Sequence, residues 1–323
     1  MVQDWLNFSS PGPFVLAGKR VWVAGHRGMV GGALVRRLAL ENCELLTADF
    51  DLRVQAAVEK WMRANKPQVV VIAAAKVGGI LANSMYPADF LTDNLLIETN
   101  IIRAAQALKV QKLLFLGSSC IYPKDAAQPM REGALLSAPL EPTNEAYAVA
   151  KIAGLKMCEA YRKQYGCDFI SVMPCNLYGR GDKFDEQNSH VIPALMMKAH
   201  AAKLSRGALE AWGSGVPRRE FLYIDDLADA LVFALKNYSS ATPLNIGSGE
   251  DISIAELAEE IAKAVGFKGE IVFDGAKPDG TMRKLLDSDR IFNAGWCPQI
   301  DLREGLRRTY ESFRRRGELQ DAA

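Results

Sequence analysis

Short unbroken apolar runs alternate with stretches of helical spacing through the first half of the chain. Arg20-Val21-Trp22-Val23-Ala24 lacks the polar residue at every second position that a strand with one wet face would show. Such a run fits a parallel strand buried on both faces. Gly25 ends it, and Val30, Ala33, Leu34 and Leu38 then recur on one face of a helix over 29–40. Glu44-Leu45-Leu46-Thr47 predicts a second strand, 53–65 a helix closed by Pro67, and Val69-Val70-Val71-Ile72-Ala73 a third strand. The series continues with a helix over about 88–108, a strand at Leu113-Leu114-Phe115-Leu116, a helix over 145–165 and a strand at Phe169-Ile170-Ser171-Val172-Met173. Strand–helix alternation at this period implies right-handed crossovers and a sheet covered on both faces. The expected fold class is α/β, a Rossmann-type doubly wound parallel sheet with a smaller C-terminal substrate-binding lobe.

After Pro174 the pattern changes. Residues 178–189 are polar and carry Gly179 and Gly181, which predicts a loop; a helix over about 191–203 follows. Glu220-Phe221-Leu222-Tyr223-Ile224 and Leu244-Asn245-Ile246-Gly247 read as strands. Between them a helix begins at Asp225-Asp226, with acids in its first turn as the helix dipole favours. Further helices are expected over 253–265 and 301–316. The organisation predicted is an irregular lead-in over 1–17, a dinucleotide-binding domain from 18–178 and 219–247, and a substrate lobe from 179–218 and 248–323.

Composition narrows the class without choosing the chemistry. With 323 residues, 49% hydrophobic and 24% charged, the chain can bury a large core. A formal net charge of +1 argues against a global electrostatic role on nucleic acid or membrane. The basic run Arg314-Arg315-Arg316, with Arg303, Arg307 and Arg308, reads as a solvated helix face. The six cysteines form no C-x-x-C pair, so no metal site is expected. No apolar run approaches the roughly 20 residues of a membrane span, and the start of the chain lacks a signal-peptide pattern, so a cytoplasmic location is expected.

Gly25-His26-Arg27-Gly28-Met29-Val30-Gly31 lies between the first strand and the first helix. Glycines there allow a tight turn and close backbone approach, and the helix N-terminus offers free N–H groups to a pyrophosphate. Arg27 projects from the loop, where it can meet the 2′-phosphate that distinguishes NADP from NAD. Asp49, after the second strand, can instead read a ribose 2′-hydroxyl, which would favour NAD.

Ser118 follows an apolar strand, where open parallel sheets place ligands. Tyr147 and Lys151 are four residues apart and share one helix face. A lysine ammonium beside a phenol lowers its pKa; the tyrosine then donates a proton to a carbonyl oxygen that Ser118 also hydrogen-bonds. Cys120 reads by itself as a small core residue. Its place two residues from Ser118 gives it a second reading, as a thiolate that removes a proton alpha to a ketone. Inversion at carbon needs a proton returned on the other face. Of the three histidines, His26 lies in the glycine loop and His200 on a later helix, which leaves His190 as the partner for Cys120.

From about residue 20 to 310 the chain resembles the GDP-L-fucose synthase family of extended short-chain dehydrogenases/reductases. The likeness is carried by the glycine loop, by Gly117-Ser118-Ser119-Cys120-Ile121-Tyr122-Pro123, and by Glu141-Pro142-Thr143-Asn144-Glu145 leading into Tyr147 and Lys151. Asn176-Leu177-Tyr178-Gly179, Asn188-Ser189-His190-Val191-Ile192-Pro193, Arg219-Glu220-Phe221-Leu222 and Lys277-Pro278-Asp279-Gly280-Thr281 complete it. The resemblance implies epimerisation of GDP-4-keto-6-deoxy-D-mannose at C3 and C5 by Cys120 and His190, then NADPH-dependent reduction at C4 with Ser118, Tyr147 and Lys151. It places NADP(H) against Gly25 to Gly31, Asp51, Leu52, Leu116 to Ser119, Lys151, Pro174, Cys175, Asn176, Leu177 and His190. It places the GDP-sugar at Lys198, Trp212, Arg219 and Asp279, and implies a homodimer paired through the helices over 88–108 and 145–165. Cys175, Lys198 and Tyr223 depart from the family's common threonine, arginine and histidine.

Rival readings rest on particular residues. A 4,6-dehydratase would carry acids where Ser119 and Cys120 stand. A 4-epimerase needs neither Cys120 nor His190, and a dinucleotide sensor needs neither Tyr147 nor Lys151. A colitose-type substrate would use much the same residues, with epimerisation at C5 alone.

Overall fold

In a computed structural model the protein is described over residues 13–185, 189–277 and 279–321. The expected lead-in therefore lies outside the described residues up to position 12. Its described end is anchored rather than loose: Phe14 donates its backbone N–H to Lys236 O at 2.7 Å, and Leu16 is in the core.

The strands are β1 (Arg20–Ala24), β2 (Glu44–Leu46), β3 (Val69–Ile72), β4 (Lys112–Leu116), β5 (Phe169–Pro174), β6 (Asn176–Tyr178), β7 (Leu209–Trp212), β8 (Arg218–Tyr223), β9 (Leu244–Ile246), β10 (Asp251–Ser253), β11 (Ile271–Asp274) and β12 (Arg283–Lys284). The helices are α1 (Met29–Leu38), α2 (Gln55–Asn65), α3 (Ile80–Met85), α4 (Pro87–Ala107), α5 (Glu145–Tyr165), α6 (Val191–Ser205), α7 (Ile224–Asn237), α8 (Ile254–Val265), α9 (Asp289–Asn293) and α10 (Leu302–Asp321).

The apolar runs β3, β4 and β5 are buried at every residue, as strands covered on both faces must be. The main sheet has the order β2-β1-β3-β4-β5-β9, and every pair in it is parallel. Strand order reverses between β1 and β3, and such a switch point opens a crevice at the carboxyl ends of the strands. The flanking helices fall into two groups. One is α4 packed between α2 and α5, and the other is α1 against α7.

A second sheet has the order β10-β8-β12, with β6 also paired to β8. A separate parallel pair joins β7 and β11, with α6 lying against β7 and α8. The 219–247 segment expected in the first domain divides between layers. Its β9 joins the main sheet and α7 packs on α1, while β8 forms the centre of the second sheet.

Several elements differ from the sequence expectation. The helix expected from 88 follows a short α3, and Pro87 starts α4, where its missing N–H costs nothing because the first N–H groups of a helix have no partner within it. Tyr178, expected in a loop, ends β6. Strands β6, β7, β10, β11 and β12 and helix α9 were not expected at all. Each spans two to five residues, too short for a periodic signal to build up.

Candidate active site

The glycine loop turns β1 into α1. Gly25 has φ +92°, and a Cβ there would lie 2.6 Å from the Ala74 backbone. A Cβ at Gly31 would run into the Gly25 carbonyl. Gly28 caps α1 with no side-chain hydrogen bond, so the first N–H groups of the helix, at Met29 and Val30, face the crevice without a competing side chain. The cradle fits a pyrophosphate.

Arg27 and Asp49, read from sequence as rival determinants, are paired with each other. The Arg27 guanidinium is 2.9 Å from the Asp49 carboxylate, and both are exposed. His26 Nε2 lies 3.6 Å from the same carboxylate. Asp51 is held by Arg53, which also bonds Asp93 at 3.0 Å. Arg53 was missed from sequence because it stands well past the end of β2. Asn100 of α4 fixes this loop by donating to the carbonyls of Leu52 and Arg53.

At the end of β4, Leu116 is buried and Gly117 lies so close to the Met173 side chain that a Cβ would overlap it. Ser118 caps a 3-10 turn over Ser119–Ile121, and its Oγ accepts from the Cys120 N–H at 3.3 Å. The thiol of Cys120 in turn accepts from Asn144 Nδ2 at 3.2 Å. Nothing in the local sequence around Asn144 signals this contact; its other amide atom, Oδ1, is buried without a partner.

Tyr147 has the Ser118 hydroxyl as a polar neighbour and stands edge-on to Phe90, ring centres 6.5 Å apart. The structure corrects the expectation that Lys151 lowers its pKa. Burial pushes the phenol up, the charges of Cys120 and Glu98 push it further, and only the Ser118 hydroxyl opposes them. The Lys151 ammonium is 5.9 Å from the tyrosine ring centre and is committed elsewhere. It donates to Leu116 O at 3.0 Å and lies 2.9 Å from the Glu98 carboxylate.

Pro174, Cys175, Asn176 and Leu177 run from the main sheet into the second. Cys175 donates its N–H to Ile246 O at 3.0 Å, and Asn176 Nδ2 bonds Glu220 O at 2.9 Å. Burial raises the Cys175 thiol pKa well above its ordinary value.

His190 is the residue before α6 and makes no side-chain cap. His190 is exposed, yet crowding by surrounding atoms and the nearby Lys183 charge shift its imidazole below the usual histidine range. Among the described residues no hydrogen bond joins His190 to Cys120. His200 is occupied with Tyr310 at 2.9 Å.

Trp212 ends β7 with an exposed indole. Lys198 lies over its ring at 4.9 Å and Lys277 at 5.3 Å. Arg219 donates to Arg218 O at 2.9 Å, and burial lowers its pKa against the pull of Asp279 and Glu141. Asp279 accepts both the N–H and the hydroxyl of Ser214, at 2.7 and 2.8 Å, and so ties down the turn after Trp212.

A protein from Sinorhizobium fredii described as a GDP-L-fucose synthase is 60% identical over 93% of this chain and 97% of its own length. One from Escherichia coli with the same description is 50% identical over 92% and 97%. The solved structure of a GDP-L-fucose synthetase from Naegleria fowleri bound to NADP matches with a TM-score of 0.88 at 28% identity, covering 96% of this chain and 98% of that one. Residues 21–247, from the start of the glycine-loop strand past the Tyr147–Lys151 helix to the last strand of the main sheet, match the NAD dependent epimerase/dehydratase family, and the chain belongs to that family.

Proposed function

We propose that this chain converts GDP-4-keto-6-deoxy-D-mannose to GDP-L-fucose by epimerisation at C3 and C5 followed by NADPH-dependent reduction at C4. The observation that carries the reading is the Cys120 thiol held in one cluster with the Ser118–Tyr147 hydroxyl pair. A plain ketoreductase needs only the hydroxyls. A sulfur beside them adds a base next to the carbonyl they grip.

Ser118 and Tyr147 hydrogen-bond the C4 oxygen and stabilise the enolate formed when Cys120 takes the proton from C3. His190 returns a proton to the opposite face, and the same pair acts at C5. Tyr147 finally gives its proton to the C4 oxygen. Reduced nicotinamide, when bound, supplies the hydride to C4. Asn144 orients the sulfur, and Lys151 is fixed by Leu116 O and Glu98.

The cofactor would lie along Gly25 to Gly31, Asp51, Leu52, Leu116 to Ser118 and Pro174 to Leu177. The exposed Arg27 guanidinium supports NADPH over NADH. In this reading 18–178 with 219–247 hold the dinucleotide, and 179–218 with 248–323 hold the GDP-sugar. Trp212 offers an apolar face, and Lys198, Lys277 and Arg219 offer positive charge, which together suit a nucleoside diphosphate. Asp279 serves by fixing the 213–216 turn. Leu96 on α4 and Val149 on α5 are exposed and support a homodimer through those helices. Six unpaired cysteines support a cytoplasmic enzyme, and no described helix is long and apolar enough to cross a membrane.

The test is mass spectrometry of the product made in heavy water from the 4-keto sugar and NADPH. Solvent deuterium at both C3 and C5 is expected in the parent, and loss of both with retained NADPH binding in Cys120→Ser. Deuterium at C5 alone from a 3-deoxy substrate, with none of the fucose product, would point to the colitose-type reaction. A reduced sugar without deuterium would return Cys120 to being a small core residue.

A further inference from the structure

The corner between the glycine loop and the end of β2 holds two side chains suited to different ribose substituents. Asp49 stands roughly 20 residues past the glycine loop, where a dinucleotide fold places the acid that accepts a ribose 2′-hydroxyl. Arg27 of the loop has the charge and the fork that suit a 2′-phosphate. β1 and β2 pair in parallel from Arg20↔Glu44 to Trp22↔Leu46, which brings the segments after them side by side. There the Arg27 guanidinium meets Asp49 Oδ1 at 2.9 Å, with side-chain exposures of 74% and 61%. The same oxygen faces His26 Nε2 at 3.6 Å. The next cation along the chain is committed elsewhere: Arg53 bonds Asp51 at 2.9 Å and Asp93 at 3.0 Å. Thr47 and Ala48, which link β2 to Asp49, carry no charge.

Resting on the proposed cofactor site, we infer that Asp49 sets the balance between NADPH and NADH in this chain: it accepts the 2′-hydroxyl of NADH and competes with the 2′-phosphate of NADPH for Arg27. The preference for NADPH is therefore shallow, and the chain binds both cofactors. A 2′-phosphate gains the guanidinium only by drawing it off a carboxylate and then lying beside that carboxylate. The repulsion between the two anions offsets part of the new attraction. NADH brings no such conflict, because its hydroxyl donates to Asp49 while Arg27 keeps its place on the same group. Water screens an exposed pair, so each contact changes affinity by a few-fold rather than by orders of magnitude.

The experiment measures the Kd of NADPH and of NADH by titration calorimetry without the sugar, so that the readout is binding and not turnover. In the parent the two values should lie within about tenfold of each other, with NADPH the tighter. Asp49→Asn keeps the shape of an exposed side chain and removes only its charge. It should tighten NADPH about fivefold and weaken NADH about fivefold, moving their ratio about 25-fold. In an Arg27→Ala background the NADPH gain should shrink, because the guanidinium that Asp49 withheld is gone. A Kd ratio that Asp49→Asn leaves unchanged, or equal changes for both cofactors, overturns the inference. So does a parent that binds NADPH a thousandfold more tightly than NADH. Binding of neither cofactor would overturn the dinucleotide site and this inference with it. Inactivity toward the 4-keto sugar, with the expected Kd ratios, would sink the proposed reaction alone.

Discussion

Burial keeps the Tyr147 phenol protonated through the neutral range, which suits a group whose task is to give a proton to an oxygen. Tyr147→Phe should lower the rate of C4 reduction by about a hundredfold or more, the usual scale for losing a general acid. NADPH affinity should change little. A variant that still reduces at near the parent rate would remove the phenol from the mechanism. At the loop, Arg27→Ala should weaken NADPH about tenfold, the loss of one charge-assisted contact, while leaving NADH affinity within a factor of two or so. Equal losses for both cofactors would mean that Arg27 only braces Asp49. Ser118, Tyr147, Lys151 and Cys120 were legible in sequence because their spacing is local: a strand end, a helix face, two neighbours on one turn. Glu98, Asn144 and Arg53 were not. Glu98 reaches Lys151 only through the packing of α4 on α5, and no spacing rule carries that information.

Long elements with strong periodicity were read to within a few residues. Helix α5 spans 145–165, as its pattern implied, and β3 to β5 announced themselves as apolar runs. The short strands around β8 were invisible because their partners, not their own residues, make them strands. Packing between α4 and α5 is tight, since Gly154 of α5, Glu98 of α4 and Phe115 of β4 interlock there. Gly154→Ala should cost about 1–3 kcal/mol, as overfilled cores do, and shift Lys151 as Glu98 moves. Chemical denaturation and NADPH titration on the same protein would check both. A stable variant with normal cofactor affinity would show that the helices can part at no cost.

At the scale of the whole molecule, Glu220 joins the layers. Its carboxylate, buried in β8, accepts the N–H of Gly249 after β9 at 2.8 Å and that of Leu286 after β12 at 2.9 Å. Desolvation outweighs these bonds and raises its pKa from 4.5 to about 7. The folded protein therefore binds a proton here that the unfolded chain releases. Glu220's contribution to stability is full below pH 4.5 and is lost as pH rises to about 7. Relative to Glu220→Gln, the parent should lose up to about 1.4 kcal/mol per pH unit across that window. A flat difference between the two would show that the carboxyl is not raised. The completion of the main sheet also has a consequence for how the chain is made. Among the described residues, β9, at Leu244–Ile246, is the only strand on the outer side of β5, at Phe169–Pro174. On the ribosome, at about 5–20 residues per second, several seconds pass between the emergence of the two. During that interval β5 presents a bare apolar edge of the kind that recruits other chains. Slowing translation between the two strands should raise the insoluble fraction of newly made protein, and supplying a chaperone that shields strand edges should restore it.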